Sequence, residues 1–228
     1  MWYAVFALPL FLFVPKIGTA QLPLKQAVCA GIKDLLKTLH NLPQEKNILI
    51  YLIAHLVYTD GLNTLFAFGG IYAAGTYGFT ITNVLIFGIS MNVTAGIGAI
   101  SLGWLDDYIG SKPTIIISLI FLIILGLTLL LIKQKTIFWL ISLLLAIFVG
   151  PVQAASRSLM VRLFASNAIP AEMFGLYALS GRVTAFVGPW LFGISTLWFD
   201  TQRAGMAAVI VFFIVGTLLL LPVKVTKH

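Results

Sequence analysis

Long apolar runs alternate with short polar breaks along this chain. A first run covers residues 1–14, and six longer runs cover residues 47–73, 79–104, 113–132, 136–155, 173–198 and 205–223. Each of the longer runs could cross about 30 Å of hydrocarbon as a helix that rises about 1.5 Å per residue. Unpaired backbone groups in lipid exclude open strands and loops, and these runs are far longer than the roughly 10 residues of a barrel strand. The pattern therefore predicts an all-α membrane protein with about seven transmembrane helices.

The first run is shorter than a usual membrane span, and two interpretations compete for it. It contains Pro9, and a secretory signal peptide is the alternative to a short transmembrane helix. A signal peptide carries its cations before the apolar core, whereas Lys16 follows this one. We therefore favour the short helix.

Four segments follow from this pattern. Residues 1–14 form the short first helix, and residues 15–46 form a basic cytoplasmic linker. Apolar residues recur at helical spacing in the linker, as in a helix lying on a membrane surface, although a solvated linker is the alternative. Residues 47–223 form a six-helix transmembrane bundle, and residues 224–228 form a cytoplasmic tail.

The composition identifies lipid as the main solvent. Hydrophobic residues make up 60% of the chain and charged residues only 9%, whereas soluble domains carry about 25% charged residues. The net charge of +7 is spread singly along the chain, so we expect no nucleic-acid partner. No metal-ligand spacing or catalytic motif is recognisable, so we expect no enzyme activity, metal or cofactor. Cys29 is the single cysteine, which excludes an intramolecular disulfide.

The lysines and arginines predict the orientation. If residues 15–46 are cytoplasmic, ten of these residues lie on the inner side and three on the outer side. The carboxyl terminus is then cytoplasmic. We expect a multi-pass protein of a bacterial inner (plasma) membrane.

One polar break, "GWLDDYIGSK", has a distinctive spacing. It places glycines, a leucine, a carboxylate and a lysine in the order G-x-L-x-D-x-x-G-x-K, at Gly103, Leu105, Asp107, Gly110 and Lys112. Gly103 would allow close helix approach, and Gly110 would supply a backbone conformation that other residues avoid.

This turn resembles the cytoplasmic signature loop of the major facilitator superfamily, a group of twelve-helix transporters. Tyr108 and Ser111 stand where that loop usually has arginines. The stretches "YTDGLNTLFAFGGIYA", "SRSLMVRLF", "EMFGLYALSGR" and "GPWLFG" resemble, more narrowly, the family named after a vacuolar amino-acid effluxer found through autophagy.

The resemblance implies two six-helix bundles around a central cavity, of which this chain carries the second bundle and one preceding helix. It also implies that Asp107 contacts the opposite half and holds the outward-open state.

Asp60 is a carboxylate deep within the run at residues 47–73. An ionised group at that depth should face protein or water, so Asp60, Asn63 and Thr64 are candidates for a substrate or proton path. His55, Thr59 and Asn63 share the adjacent face. A purely structural role for Asp60, joining helices by hydrogen bonds, is the alternative.

Two further polar residues lie inside later runs. Arg182 would reach a depth comparable with Asp60, and we expect it to pair with Asp60 and to meet an anionic substrate group. Snorkelling of Arg182 to the surface is the alternative. Gln153 is a candidate cavity residue or part of a bend with Gly150 and Pro151.

Small residues suggest close packing and bending. The set recurring every three or four residues comprises Gly88, Asn92, Gly96, Ala99 and Gly103, and a later one comprises Gly181, Ala185 and Gly188. Gly188 and Pro189 are the candidate hinge.

The resemblance implies half or a fragment of a secondary transporter that moves a small solute across the bilayer by alternating access. An amino acid is one candidate solute, and a separate chain supplying the amino-terminal half is one candidate partner. Pairing of two copies, a non-transporting remnant of a split gene, and a seven-helix receptor-like protein are the alternatives. A retinal receptor would need a lysine in the last run, which has none.

Overall fold

The structure is a computed structural model that describes residues 45–163 and 171–225. The predicted first helix at residues 1–14 and nearly all of the predicted linker at residues 15–46 lie outside the described residues. The described residues form helices joined by short breaks, which confirms the all-α class.

The helices are named here in chain order. They are α1 (Lys46–Tyr77), α2 (Ile81–Ser101), α3 (Gly103–Ile109), α4 (Ser111–Leu131), α5 (Lys135–Leu163), α6 (Ala171–Ser180), α7 (Val187–Phe199) and α8 (Gln202–Leu220). Helix α3 continues α2 after Leu102, so that the two make one apolar span of 29 residues. This span, α1, α4, α5 and α8 are each long and apolar enough to cross a membrane.

Local sequence signals account for the helix ends. Gly78 ends α1 in the left-handed conformation, with φ of 63°, and the Thr80 hydroxyl accepts a hydrogen bond from the Asn83 amide at the start of α2. Gly110 separates α3 from α4 with φ of 96°, which confirms the backbone state expected of it.

The sixth predicted span, at residues 173–198, is interrupted. It consists of α6 and α7, with hydrogen-bonded turns over residues 181–186 between them. Pro189 lies in the first turn of α7, where a missing amide hydrogen costs nothing. Further inside a continuous helix its ring would clash with the carbonyl of Ala185, so the chain starts a new helix instead. Gly188 and Pro189 thus lie just after the interruption, and their role as a hinge stays a prediction.

The helices form an arc with an opening on one side. Helix α5 packs between α2 and α4, α4 packs against α8, and α8 packs along both α1 and α7. Helix α1 makes much less contact with α7, α2 and α5 than with α8. The space between α1, α2, α5 and α6 is therefore left for a cavity.

Buried tyrosines join α1 to α5. The hydroxyl of Tyr51 donates a hydrogen bond to the carbonyl of Ser156, and the hydroxyl of Tyr58 is 2.7 Å from Ser156 Oγ. All three side chains are almost fully buried. Such pairing satisfies polar groups where water is absent.

The close contact between α2 and α5 uses different small residues from those expected. A Cβ added at Gly98 would overlap the carbonyl oxygen of Ile147, and one at Gly150 would overlap the carbonyl of Ala95. Among the described residues, Cβ atoms added at Gly88, Gly96 or Gly103 would meet nothing within 4 Å. Within residues 45–163 and 171–225, these three glycines therefore do not mediate the backbone contact expected of them, and Gly98 and Gly150 take that role.

Candidate functional site

A polar cavity opens between α1, α5, α6 and the turns that follow α6. Its volume is about 790 Å³. A neighbouring cavity of about 510 Å³ lies between α1, α2 and α5. Asn63, Gln153 and Arg157 line both cavities. We call the two together the polar groove.

The groove reaches from one end of the bundle towards its middle. Arg157 lies six residues before the end of α5, a distance of about 9 Å along the helix, and Gln153 lies about 15 Å from the same end. Asn63 lies about 25 Å from the start of α1. Polar side chains thus line a path into a bundle that is otherwise apolar.

The structure brings three of the five candidate path residues together. Asn63, Gln153 and Arg182 all line the groove, and so do His55 and Thr59 from the face of α1 expected to be polar. This arrangement comes from three separate parts of the chain. Their role in a substrate or proton path stays a prediction.

Asp60 and Thr64 point elsewhere. Oδ2 of Asp60 accepts a hydrogen bond of 2.8 Å from the backbone amide of Gly188, near the start of α7. The Thr64 hydroxyl donates to the Asp60 carbonyl, and Thr64 fills the space that a side chain at residue 188 would need. Both side chains are buried, so α1 and α7 are in direct contact at this point.

The expected ion pair between Asp60 and Arg182 is not formed. Within residues 45–163 and 171–225, the carboxylate of Asp60 has no cationic partner, and its Oδ1 atom is buried without a hydrogen bond. The reason is geometric: Arg182 belongs to the interrupted stretch after α6, whereas Asp60 faces the first turn of α7. A helix start favours a carboxylate because its first amides lack acceptors within the helix.

His55 is a packing residue within the groove wall. Its ring stacks on Tyr177 with 4.2 Å between ring centroids, and Nδ1 lies 2.9 Å from Ser180 Oγ. The side chain is 5% exposed. His55 thus joins α1 to α6.

Arg157 is the groove residue that the sequence interpretation missed, because it was counted only as a charge that orients the protein. Its position four residues after Gln153 places both side chains on one face of α5. That spacing was the signal available in the sequence.

The signature turn is held by Asp106 rather than by Asp107. Oδ1 of Asp106 accepts a hydrogen bond of 2.6 Å from the Ser111 hydroxyl and lies 3.3 Å from Nη2 of Arg162. The side chain of Asp107 is exposed and makes no hydrogen bond or ion pair with the described residues. Asp107 is therefore available to a partner, although a contact with an opposite half stays a prediction.

Lys112 binds the segment that directly follows α8. Its Nζ atom donates hydrogen bonds of 2.7 Å to the carbonyls of Leu221 and Val223, just after α8. Carbonyls at the end of a helix have no amide donors within that helix, so a lysine ammonium group is well suited to pair with them. Among the described residues, nothing lies within 4 Å of the position that a side chain at Gly103 would occupy, and Leu105 is half-buried.

These features define a class: a polytopic helical membrane protein with a polar groove entering its bundle and a glycine-bounded acidic turn at one end. The whole chain, residues 1–228, matches the family model described as vacuole effluxer Atg22 like. A curated relative, the uncharacterised MFS-type transporter YxiO of Bacillus subtilis (strain 168), is 23% identical over 220 residues. The alignment covers 96% of this chain and 50% of that protein, so the chain spans about half the length of the relative.

The chain belongs to the Atg22-like vacuole effluxer family, and its comparisons place it among transporters of the major facilitator type. The family match confirms the resemblance seen in the signature turn and in the stretches around it.

Proposed function

We propose that this chain forms one lobe of a secondary transporter that moves a small polar solute by alternating access. The observation that carries the proposal is the polar groove, which lies within helices long enough to cross a membrane. Polar residues inside a membrane bundle are costly and usually mark a solute or ion pathway. The family membership supports the same conclusion.

The second lobe would cover the open side of the groove. We propose that it is a six-helix bundle supplied by a separate chain. The arc of helices leaves the groove open between α1 and α2, and the relative is about twice as long as the aligned region. In this arrangement the exposed Asp107 would contact the second lobe.

An amino acid is the solute that the family resemblance suggests. The proposed location is a bacterial inner membrane, with the signature turn and the carboxyl terminus in the cytoplasm. The excess of lysine and arginine on that side supports this orientation.

Uptake into proteoliposomes tests the proposal. The chain would be reconstituted alone and with a six-helix bundle encoded beside it, and given radiolabelled leucine, glutamate or lysine. We expect uptake of at least one solute in the presence of both lobes, and a loss of ten-fold or more in Arg182→Gln. Arg203→Gln is the matched control, because Arg203 contacts the carbonyl of Ile132 and lies outside the groove.

Uptake no higher than that of empty liposomes, for all three solutes and both preparations, would favour the non-transporting remnant instead. Equal uptake by Arg182→Gln and the unmodified chain would exclude a role for Arg182 in binding the solute.

A further inference from the structure

Two arginines face the polar groove. Arg157 and Arg182 both line the larger cavity, and both side chains are exposed to it. Neither forms an ion pair with any residue in the described part of the chain. Among residues 45–163 and 171–225, those lining the two cavities include no aspartate or glutamate.

The contacts of the described residues do not balance the charge of these two arginines. Arg182 lies two residues after the end of α6, in the interruption between α6 and α7, and charged side chains within a membrane bundle are rare outside functional sites. Structural arginines elsewhere in the chain have partners: Arg162 pairs with Asp106, and Arg203 donates to the carbonyl of Ile132. Arg157 lies beside the neutral Tyr177 hydroxyl, and both groove arginines face the open space of the larger cavity.

The remaining polar groups of the groove can also donate hydrogen bonds. The side-chain amides of Asn63, Gln153 and Asn92 line it, as does the hydroxyl of Thr59. Amide and hydroxyl groups serve either role, whereas the two guanidinium groups carry a permanent positive charge. The described lining of the groove is therefore suited to an anionic group.

We infer that the solute presents an anionic group to this lobe, and that Arg157 and Arg182 bind it. The solute class is a small molecule bearing a carboxylate or a phosphate, since a guanidinium group matches either one with paired hydrogen bonds. A volume of about 790 Å³ is within the range of small-molecule sites. Arg157, nearer the end of the bundle, would meet the anion before Arg182. This inference rests on the proposed function and adds the charge of the solute to it.

Charge-selective labelling tests the electrostatic part. Cys29→Ser would remove the single natural cysteine, and Ala178→Cys would place a reporter thiol in the wall of the groove. The full chain in vesicles would be treated with a methanethiosulfonate reagent carrying a sulfonate, and separately with one carrying a quaternary ammonium. The ratio of the two rates, divided by the ratio for free glutathione, reports the local potential.

We expect the normalised ratio to favour the anionic reagent by about ten-fold or more, as for charge focused in a cleft. The double variant Arg157→Gln and Arg182→Gln should bring the ratio close to one. Arg203→Gln removes the same type of charge outside the groove and should leave the ratio unchanged. A ratio near one in the unmodified background would overturn the inference. If neither reagent reacts, the groove is not aqueous and the proposed function fails as well.

Protection of the same thiol tests the solute class. Succinate and glycerol 3-phosphate distinguish a carboxylate from a phosphate, leucine represents an amino acid with one carboxylate, and choline is a cation without an anionic group. Slower labelling with at least one of the first three, and not with choline, would support the inference. Protection by choline to the same extent, or by none of the four, would overturn it while leaving the aqueous groove and the transport proposal intact.

Discussion

Asp60 is held by a backbone amide rather than by a cation. Pro189 forces a new helix to begin inside the bundle, and that helix start needs acceptors for its first amides. Oδ2 of Asp60 supplies one from a different helix, to the Gly188 amide. The Asp60 carboxylate therefore caps the start of α7. Such a cap usually comes from the residue directly before the helix, whereas Asp60 belongs to α1.

This contact predicts different effects for two substitutions of Asp60. Asp60→Ala should lower the free energy of unfolding by about 1–3 kcal/mol, because it leaves the buried Gly188 amide without an acceptor. Asp60→Asn keeps an acceptor and should be much closer to the unmodified chain. Thermal unfolding of the purified chain in detergent measures both. Equal melting temperatures for the two variants would argue against the capping role.

The adjacent carboxylates of Asp106 and Asp107 have different environments. Asp106 is tied to Arg162 and Ser111, whereas Asp107 is exposed and free of contacts within the described residues. Two adjacent acidic residues on a helical turn point about 100° apart, so one can hold the turn while the other faces outwards.

At the scale of the elements, the contact between α2 and α5 depends on backbones that touch. Glycines at 98 and 150 allow this approach, each against a backbone carbonyl of the other helix. In lipid, where exclusion of water adds little, such close packing is a main source of helix association.

Two glycines on α2, two residues apart, test this contact. Gly98→Ala should destabilise the chain by about 1–3 kcal/mol, because the added methyl group overlaps the carbonyl of Ile147. Gly96→Ala is the matched control, since a Cβ there meets nothing within 4 Å and alanine favours a helix. The melting temperatures of the two purified variants provide the comparison. A fall of the same size in both would indicate that the α2–α5 contact is not specific to residue 98.

For the whole molecule, orientation in the membrane decides which end of the groove faces the cytoplasm. The signature turn and the end of α8 lie together, joined by Lys112. The break between α4 and α5, with Lys133 and Lys135, lies at the opposite end of these helices. From the excess of basic residues, we expect the first of these ends to lie on the cytoplasmic side.

Thiol labelling of sealed cells tests this orientation. In a Cys29→Ser background, we expect the Asp107→Cys thiol to react with a membrane-impermeant maleimide only after the cells are opened. The Gln134→Cys thiol, in the opposite break, should react in intact cells. Labelling of the Asp107→Cys thiol from outside would reverse the topology and the predicted location of the carboxyl terminus.

The sequence by itself determined the class, the positions of the spans and several groove residues. Hydropathy and turn signals are local properties, so the runs at residues 47–73, 79–104, 113–132 and 136–155 correspond closely to helices. The stripe of His55, Thr59 and Asn63 was also visible, because polar residues stand out on an apolar helix.

Only the tertiary structure decided which faces meet. In a membrane protein, lipid-facing and core-facing residues are both apolar. The spacing of apolar residues therefore does not identify the buried face of a helix, as it does in a water-soluble protein. This is why Gly98 rather than Gly96 contacts α5. It is also why Asp60 contacts Gly188 rather than Arg182. Such pairings join residues distant in the chain, and they depend on the rotation of each helix about its axis, which its own sequence does not fix.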